Sequence, residues 1–545
     1  MANAATIAIA RKIRENLAGR ALTARQAKLY SQRLRRDMGR DGLASFGPGD
    51  VAEYLDEAML LLESGWLERS ADISSPWRAA IKRAAEIIEW LSQSQLKPPG
   101  APLHLLAAAA YQLADYPAMA LGHLRRLPEG EPLSELLHQF VRADFPAAFQ
   151  AAQTFWSNYR GLRTDGRVDP KDLEVASVQH IVMCVGTICA FLRTGGDAPV
   201  ERAVVKLEAL VLGFLHSRDP YSYLLARLTA ASARRFIETC LWPQIDGLRL
   251  TSSGPAGDAL TQFARSAFAN KRALVWPAQA AGIAKLRDNS SFVLCTPTGS
   301  GKTTVATLGA VQGLFADPPA GGAAGNLVLY LVPSRALAAE VEGRLVEDLR
   351  GIAADPVVVT GLYGGVDWGP TDAWIQTDQP TVVICTFEKA DALLRYLGVL
   401  FLSRVRTVII DEAHMVEQDE ARLTGLGDGT SRAFRLEQLG TRLMRAREDH
   451  DFRIVALSAV AARAGPALAR WVSDAPDAIP TSSAYRSTRQ MLGRLEVRPT
   501  GQFAIRYSLV DGHSLKFDDE QRDDSPFVPD PFPPVRGGYE SGRRT

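Results

Sequence analysis

The sequence predicts an α-helical, solenoid-like domain over residues 41–250 and, after a linker at 251–258, an α/β domain over 259–480 built on a parallel sheet. Three observations predict it. Apolar residues from about 50 to 245 recur at helical spacing with few β-branched alternations. A segment at 111–118 recurs at 140–147. From residue 292 onward, short apolar runs alternate with helical patterns, as strands joined by crossover helices do.

Composition bounds the class. The chain has 545 residues, of which 46% are hydrophobic, enough for several packed cores. Its net charge of +1 supplies no global drive toward nucleic acid, so any such binding must come from local patches. The cysteines, Cys184, Cys189, Cys240, Cys295 and Cys385, form no C-x-x-C pair, and the histidines do not cluster near them. That usage predicts a reducing cytoplasm and no structural zinc. The longest apolar run, Ile181 to Leu192, is shorter than the roughly 20 residues that span a bilayer, and a core helix is expected there rather than a membrane segment. No secretory h-region is present at the N-terminus.

Residues 1–40 carry ten Lys/Arg against Glu15 and Asp37. This is the composition of a solvated basic helix, of a nucleic-acid or partner contact, or of an organelle transit peptide. The repeat follows: Tyr111-Gln112-Leu113-Ala114-Asp115-Tyr116-Pro117-Ala118 returns as Phe140-Val141-Arg142-Ala143-Asp144-Phe145-Pro146-Ala147. In each copy a helix is expected to end near Ala-Asp, with proline in the first turn of the next. Two copies predict helix-turn-helix stacking, one short of the three usually needed for a solenoid. The stretch Thr251 to Asp258 has linker composition.

The apolar run Phe292-Val293-Leu294 leads into Cys295-Thr296-Pro297-Thr298-Gly299-Ser300-Gly301-Lys302-Thr303-Thr304. A strand running into a glycine-rich loop that opens a helix cradles phosphates on backbone N–H groups. Residues 298–304 are therefore expected to bind ATP, with Lys302 on the β/γ oxygens and the Thr303 hydroxyl on Mg²⁺. Val408-Ile409-Ile410-Asp411-Glu412-Ala413-His414 supplies the second half of the chemistry. Asp411 is expected to hold Mg²⁺, and Glu412 to polarise the water that attacks the γ-phosphate. An Asp-Glu pair alone is usually a strand reaching the surface; the loop upstream makes that reading untenable here.

Further segments complete an ordered series: Leu331-Val332-Pro333-Ser334-Arg335-Ala336-Leu337-Ala338, then Thr360-Gly361, then Thr386-Phe387-Glu388-Lys389, and finally Ser458-Ala459-Val460. Together with the two ATP motifs, the series over residues 270–475 resembles the first RecA-like lobe of superfamily 2 DExH (DEAH-box) helicases. The superkiller and archaeal repair-helicase group is the nearest. The resemblance implies that Ser334, Arg335, Thr360, Gly361, Thr386 and Lys389 line a groove for single-stranded nucleic acid, touching sugar and phosphate. The residue-level alternative for Thr360 and Thr386 is strand-end capping. It also implies that Gln279, after Trp276-Pro277, reads the adenine edge, and that His414 and Ser458 couple the ATP site to the strand. Val460 stands where the family usually has Thr, which removes one hydroxyl from that coupling.

Residues 481–545 are expected to be a linker and flexible tail, rich in Pro, Asp and Gly toward the end. Nothing in Tyr485 to Thr545 resembles the arginine-bearing motif of a second lobe. The expectation is therefore the N-terminal half of an ATP-dependent helicase or translocase, with its second RecA-like lobe in cis or in trans and little activity by itself. The long helical domain before the motor is similar in arrangement to helicase subunits of the bacterial antiphage systems called Hachiman. The alternative is a nucleotide-gated adaptor whose helical domain binds protein partners.

Overall fold

A computed structural model describes residues 3–18, 29, 46–47, 49–70, 75–94, 96–98, 101–125, 132–158, 170–196, 199–216, 219–296, 299, 301–317, 325–363, 377–416, 432–459, 465–482, 491–497, 503–509, 515–516, 522–523 and 527–529. The first half is helical, from Asp50–Leu67 and Trp77–Gln93 through Leu103–Leu113 and onward to Leu241–Arg249, with sequential helices packed on one another. The N-terminal helix Ala4–Ala18 docks through Arg11 and Arg14 onto Glu68, so part of the basic arm is spent on an internal ion pair. Most of residues 19–40 lie outside the described residues.

The repeat is the helix-turn-helix that the sequence predicts, with a one-residue slip. Helix Leu103–Leu113 ends with the Tyr116 N–H donating to the Tyr111 carbonyl at 2.9 Å, and Asp115 takes φ 67°. In the second copy Asp144 N–H donates to the Gln139 carbonyl at 2.9 Å, and the left-handed residue is Ala143 at φ 61°. Both are six-to-one helix terminations. The two aspartates recruit cations from distant segments. Asp115 is buried and receives Arg78 Nε at 2.6 Å and Arg235 Nη2 at 2.8 Å. Asp144 pairs with Lys271 Nζ at 2.6 Å.

Removing the Asp115 carboxylate takes the shared counter-charge from two guanidiniums in a mostly buried site. Asp115→Ala should therefore cost about 3–5 kcal/mol, read as a shift in the midpoint of urea unfolding. A change under about 1 kcal/mol would show that the two arginines find solvent instead.

The apolar run at 181–192 sits in helix Pro170–Thr194, whose segment Ala176–Thr194 is long and apolar enough, by length and composition, to cross a membrane. The helix is longer than the run because flanking small and polar residues continue it. Ile181, Val182, Val185, Ile188, Cys189 and Leu192 form a buried stripe at helical spacing. That face packs between helices Phe145–Asn158 and Val200–His216, with Gly186 set against Ala152.

The linker expectation fails at residues 254–258, which begin helix Gly254–Ala269. Pro255 sits in the first turn, where its missing N–H costs nothing, so a Gly-Pro-Ala-Gly run that reads as a breaker starts a helix instead. Ser253 Oγ donates to the Phe315 carbonyl at 2.8 Å and Gln312 Nε2 to Ser252 Oγ at 3.0 Å, fastening the preceding turn to the α/β domain. Phe263, Ala264, Ala267 and Phe268 of this helix belong to one apolar core that runs from Trp66 and Trp90 in the helical array to Val305 and Val328 beneath the sheet.

Seven parallel strands form that sheet: β1 (Phe292–Cys295), β2 (Leu327–Val332), β3 (Val358–Leu362), β4 (Thr381–Thr386), β5 (Val405–Ile410), β6 (Arg453–Ser458) and β7 (Thr481–Ser482), in the order β3-β4-β2-β5-β6-β1-β7. Six of them, β1 to β6, stand on the short apolar runs that alternate with helical patterns from residue 292 onward. Their apolar runs are continuous because both faces are covered. Val328, Tyr330, Val332, Ile409 and Val455 face the helical side, while Leu329, Leu331, Val408, Ile410 and Ile454 face helices Phe387–Tyr396, Arg432–Asp449 and Gly465–Ser473.

The expected flexible tail from 481 is also corrected. Thr481 and Ser482 extend the main sheet beside Leu294 and Cys295. Farther on, Met491–Val497 pairs antiparallel with Phe503–Leu509, and Phe527–Pro529 joins on the other side. Alternating apolar and polar residues in Phe503–Leu509 give the period of two that a strand needs, which the downstream Pro-Asp-Gly composition obscures.

Candidate ATP-binding site

The glycine-rich loop, Arg335, Thr386 and Asp411-Glu412 stand at the carboxyl ends of strands, and the strand order sorts them. The glycine-rich loop follows β1 and Asp411-Glu412 follows β5, flanking β6, which ends at Ser458. Arg335 follows β2, Thr360 and Gly361 lie in β3, and Thr386 ends β4, so these occupy three neighbouring strands on the other side of β5.

Gly299 and Gly301 both take φ 80°, which glycine alone adopts without strain, and Gly301 starts helix Lys302–Leu314. A β-carbon on Gly301 would fall 2.2 Å from the Gln279 amide nitrogen. Gln279 is buried; its Oε1 accepts from the Trp276 N–H at 2.8 Å and its Nε2 donates to the Gly301 carbonyl at 3.3 Å. In this arrangement Gln279 braces the loop and the start of its own helix, a role the sequence does not reveal. Thr298 and Ser300 lie outside the described residues.

Lys302 Nζ is buried with no hydrogen-bond partner among the described residues. A buried, unsatisfied ammonium at a helix N-terminus fits a phosphate and little else. Thr303 and Thr304 follow it half-buried in the first turn, with the Thr304 N–H donating to the Gly301 carbonyl at 3.0 Å.

Across β6, Asp411 is held by its own N–H donating to the Leu331 carbonyl at 2.9 Å, while its Oδ1 accepts from the Glu412 N–H at 2.9 Å. Tyr330, fully buried on β2, donates its hydroxyl to Asp411 Oδ2 at 3.4 Å. Sequence reading missed Tyr330; the one signal is a phenol in an otherwise aliphatic strand. Burial pushes the Asp411 carboxyl above its ordinary value, opposed by the Glu412 N–H, the Lys302 ammonium and the Tyr330 hydroxyl. The Tyr330 phenol is pushed well up, first by burial and then by Asp411.

Glu412 takes φ 51°, in the left-handed region, and its Oε2 lies 3.2 Å from His414 Nδ1 without the alignment of a hydrogen bond. A carboxylate on a strained backbone, beside an imidazole, is an arrangement suited to orienting water. Ser458 is fully buried and its carbonyl accepts from the Thr296 N–H at 3.1 Å, joining β6 to the loop. Val460 lies outside the described residues.

The DEAD/DEAH box helicase family profile matches residues 276–464, the stretch that carries all of these groups. Residues 276–464 are a DEAD/DEAH box helicase domain. The chain is similar to the Hachiman protein HamB of Bacillus cereus, 38% identical over 141 residues that make up 26% of this chain and 12% of that protein. It is likewise similar to the ATP-dependent DNA helicase Hel308 of Methanocella arvoryzae, 29% identical over 216 residues, 39% of this chain and 25% of that one. Among solved structures, the helicase Lhr of Mycobacterium smegmatis bound to ssDNA and AMP-PNP matches with a TM-score of 0.31 and 30% identity, covering 42% of this chain and 27% of that one. The chain thus spans an eighth to a quarter of the length of these curated relatives.

In the helicase domain, Lys302, Thr303 and Asp411 are the residues that would hold ATP and magnesium. The ion, when bound, supplies positive charge to the phosphate oxygens. On the side of β2, β4 and β3, Ser334 Oγ accepts from the Leu337 N–H at 3.3 Å and so caps helix Arg335–Asp348, leaving Arg335 exposed in its first turn. Gly361 is required by crowding, since a β-carbon would fall 2.2 Å from the Tyr363 ring and 2.4 Å from the Glu342 carboxylate. Thr386 is buried at the N-cap of helix Phe387–Tyr396, where its hydroxyl makes no capping bond, and Lys389 is half-buried one turn on.

Proposed function

We propose that this chain is the amino-terminal half of an ATP-dependent helicase or translocase that moves along single-stranded nucleic acid, with a second RecA-like lobe completing the site in cis or in trans. The observation that carries the reading is the strand order. With Lys302, Asp411 and Glu412 around β6 and Arg335, Thr360 and Thr386 on or after the adjoining strands, it supports reading one lobe as both a nucleotide wall and a groove. The likeness to HamB extends the proposal to antiviral defence, and the scattered, unpaired cysteines extend it to a reducing cytoplasm.

Lys302→Ala removes the ammonium opposite the phosphates and is expected to abolish binding of a non-hydrolysable ATP analogue in isothermal titration. Unchanged affinity would sink the phosphate-loop assignment. For the groove, the double substitution Arg335→Ala with Thr386→Ala should weaken single-strand binding equally across sequences, because phosphate contacts position and do not read bases. The salt dependence should become shallower by about one charge. Fluorescence anisotropy over a salt series measures both, and a loss confined to one sequence contradicts the groove.

A second reading, a nucleotide-gated adaptor, is favoured by helix Val200–His216, which exposes Val205, Leu212 and Leu215. Nucleic-acid-stimulated hydrolysis in the complete assembly selects the motor. Tight ATP binding with no turnover under any partner selects the adaptor.

A further inference from the structure

At the amino ends of β5 and β6, on the edge of the sheet away from the glycine-rich loop, a cavity of about 340 Å³ opens. It lies between the turn Thr251–Ser253, the last turn of helix Lys302–Leu314 and the two strands. Three guanidiniums converge on it, Arg406, Arg447 and Arg453, and among the described residues each bonds to neutral acceptors only. Arg453 Nη2 donates to the Gly309 carbonyl and to Gln312 Oε1, both at 2.9 Å. Arg406 Nε donates to Asn326 Oδ1 at 3.2 Å, and its other nitrogens reach the carbonyls of Asp451 and Asp317. Arg447 uses Nη1, toward the Val472 carbonyl at 3.1 Å and the Met444 sulfur.

Arg453 is buried and the other two are half-buried, whereas the carboxylates at the cavity, Asp317 and Asp451, are exposed, where solvent screens them. Helix Gly254–Ala269 also starts at this cavity and has no side chain capping its first turn, adding its partial positive charge. Burial alone lowers the Arg453 guanidinium to about 10, with no carboxylate offsetting it. Cations withdrawn from water without a counter-charge are costly, and an anion between them recovers that cost.

We propose that this cavity is a second anion site, distinct from the ATP loop, that takes the phosphate group of a small molecule no larger than a mononucleotide. Its size is at the lower end of small-ligand pockets, about 300–1,000 Å³. Because Arg453 also holds Gly309 and Gln312 of the helix that begins at Lys302, an occupant would be tied directly to the element that carries the ATP loop.

The test uses the full chain carrying Lys302→Ala, so that phosphate at the glycine-rich loop does not contribute, and isothermal titration with orthophosphate, pyrophosphate and AMP. Saturable binding of at least one is expected, and which one binds distinguishes a free phosphate from a nucleotide. Adding Arg447→Ala or, separately, Arg406→Gln should weaken it at least about tenfold, since a charged hydrogen bond contributes about 1.5–3 kcal/mol and 1.4 kcal/mol is a decade. Both arginines are half-buried, so the variants are expected to fold, and circular dichroism checks this. No saturable binding of any of the three, or affinity unchanged in both folded arginine variants, overturns the proposal. Because the arginine variants read only this cavity, failure here is separable from failure of the Lys302 assignment.

Discussion

Replacing Glu412 by glutamine in the complete assembly is expected to cut ATP turnover by about 10²–10⁴, the usual loss on removing a general base, while leaving ATP bound. The structure explains why the change should be so selective. The backbone at Glu412 is held at φ 51° by its N–H bond to Asp411 Oδ1 and by the Met415 N–H donating to its carbonyl at 2.9 Å. A non-glycine residue there costs about 1–3 kcal/mol and persists because its surroundings over-determine it. Glutamine keeps the size and the backbone bonds, so geometry survives. What disappears is the charge that, in the proposed role, would orient and deprotonate water. Single-turnover hydrolysis measured beside analogue affinity separates the two effects, and turnover within threefold of the parent protein would show that Glu412 is not the catalytic carboxylate.

The second large effect concerns the far wall of the cleft. In the proposed mechanism Lys302, Asp411 and Glu412 would supply cation, metal ligand and base. Charge on the transferring phosphoryl group would then be stabilised by an arginine from a facing lobe, a contribution of about 10³–10⁵ in rate. Residues 1–545 taken alone are therefore expected to bind ATP weakly and hydrolyse it negligibly, with or without nucleic acid. Adding a second RecA-like lobe should restore turnover by that factor, in a steady-state assay with single-stranded DNA and RNA tested separately. Robust strand-stimulated hydrolysis by the monomeric 545-residue chain would refute the requirement and point to an arginine already present, such as Arg486 or Arg489.

The candidate ATP site was legible because each of its two segments is contiguous in sequence and follows an apolar strand. Lys302 and Thr303 start the helix that the glycine-rich loop joins to β1, and Asp411 is the residue after β5. Contacts made across the fold were not legible. Arg453 reaches Leu286, Gly309 and Gln312, which are 167, 144 and 141 residues away, and Tyr330 reaches Asp411 across 81. No spacing rule joins such pairs. β7 escaped notice because two residues, Thr481 and Ser482, carry no apolar run and join the sheet through backbone pairing with Leu294 and Cys295. The break assigned at 254–258 failed for a different reason. Glycine and proline end a helix from within but tolerate its first turn, and composition alone does not say on which side of the boundary they stand.

The apolar core that passes through Phe263 and Phe268 has a mechanical consequence. Helix Gly254–Ala269 is packed against the helical array on one side and against the ATPase helices on the other, and Lys271 and Arg272, just beyond its end, grip Asp144 and Asp348 in those two directions. A rotation of the helicase domain relative to this helix would have to break those two ion pairs and part the shared core. The packing therefore favours the array moving together with the domain. Excising the module at residue 258 would cut through helix Gly254–Ala269 and bare the apolar face it shares with the array.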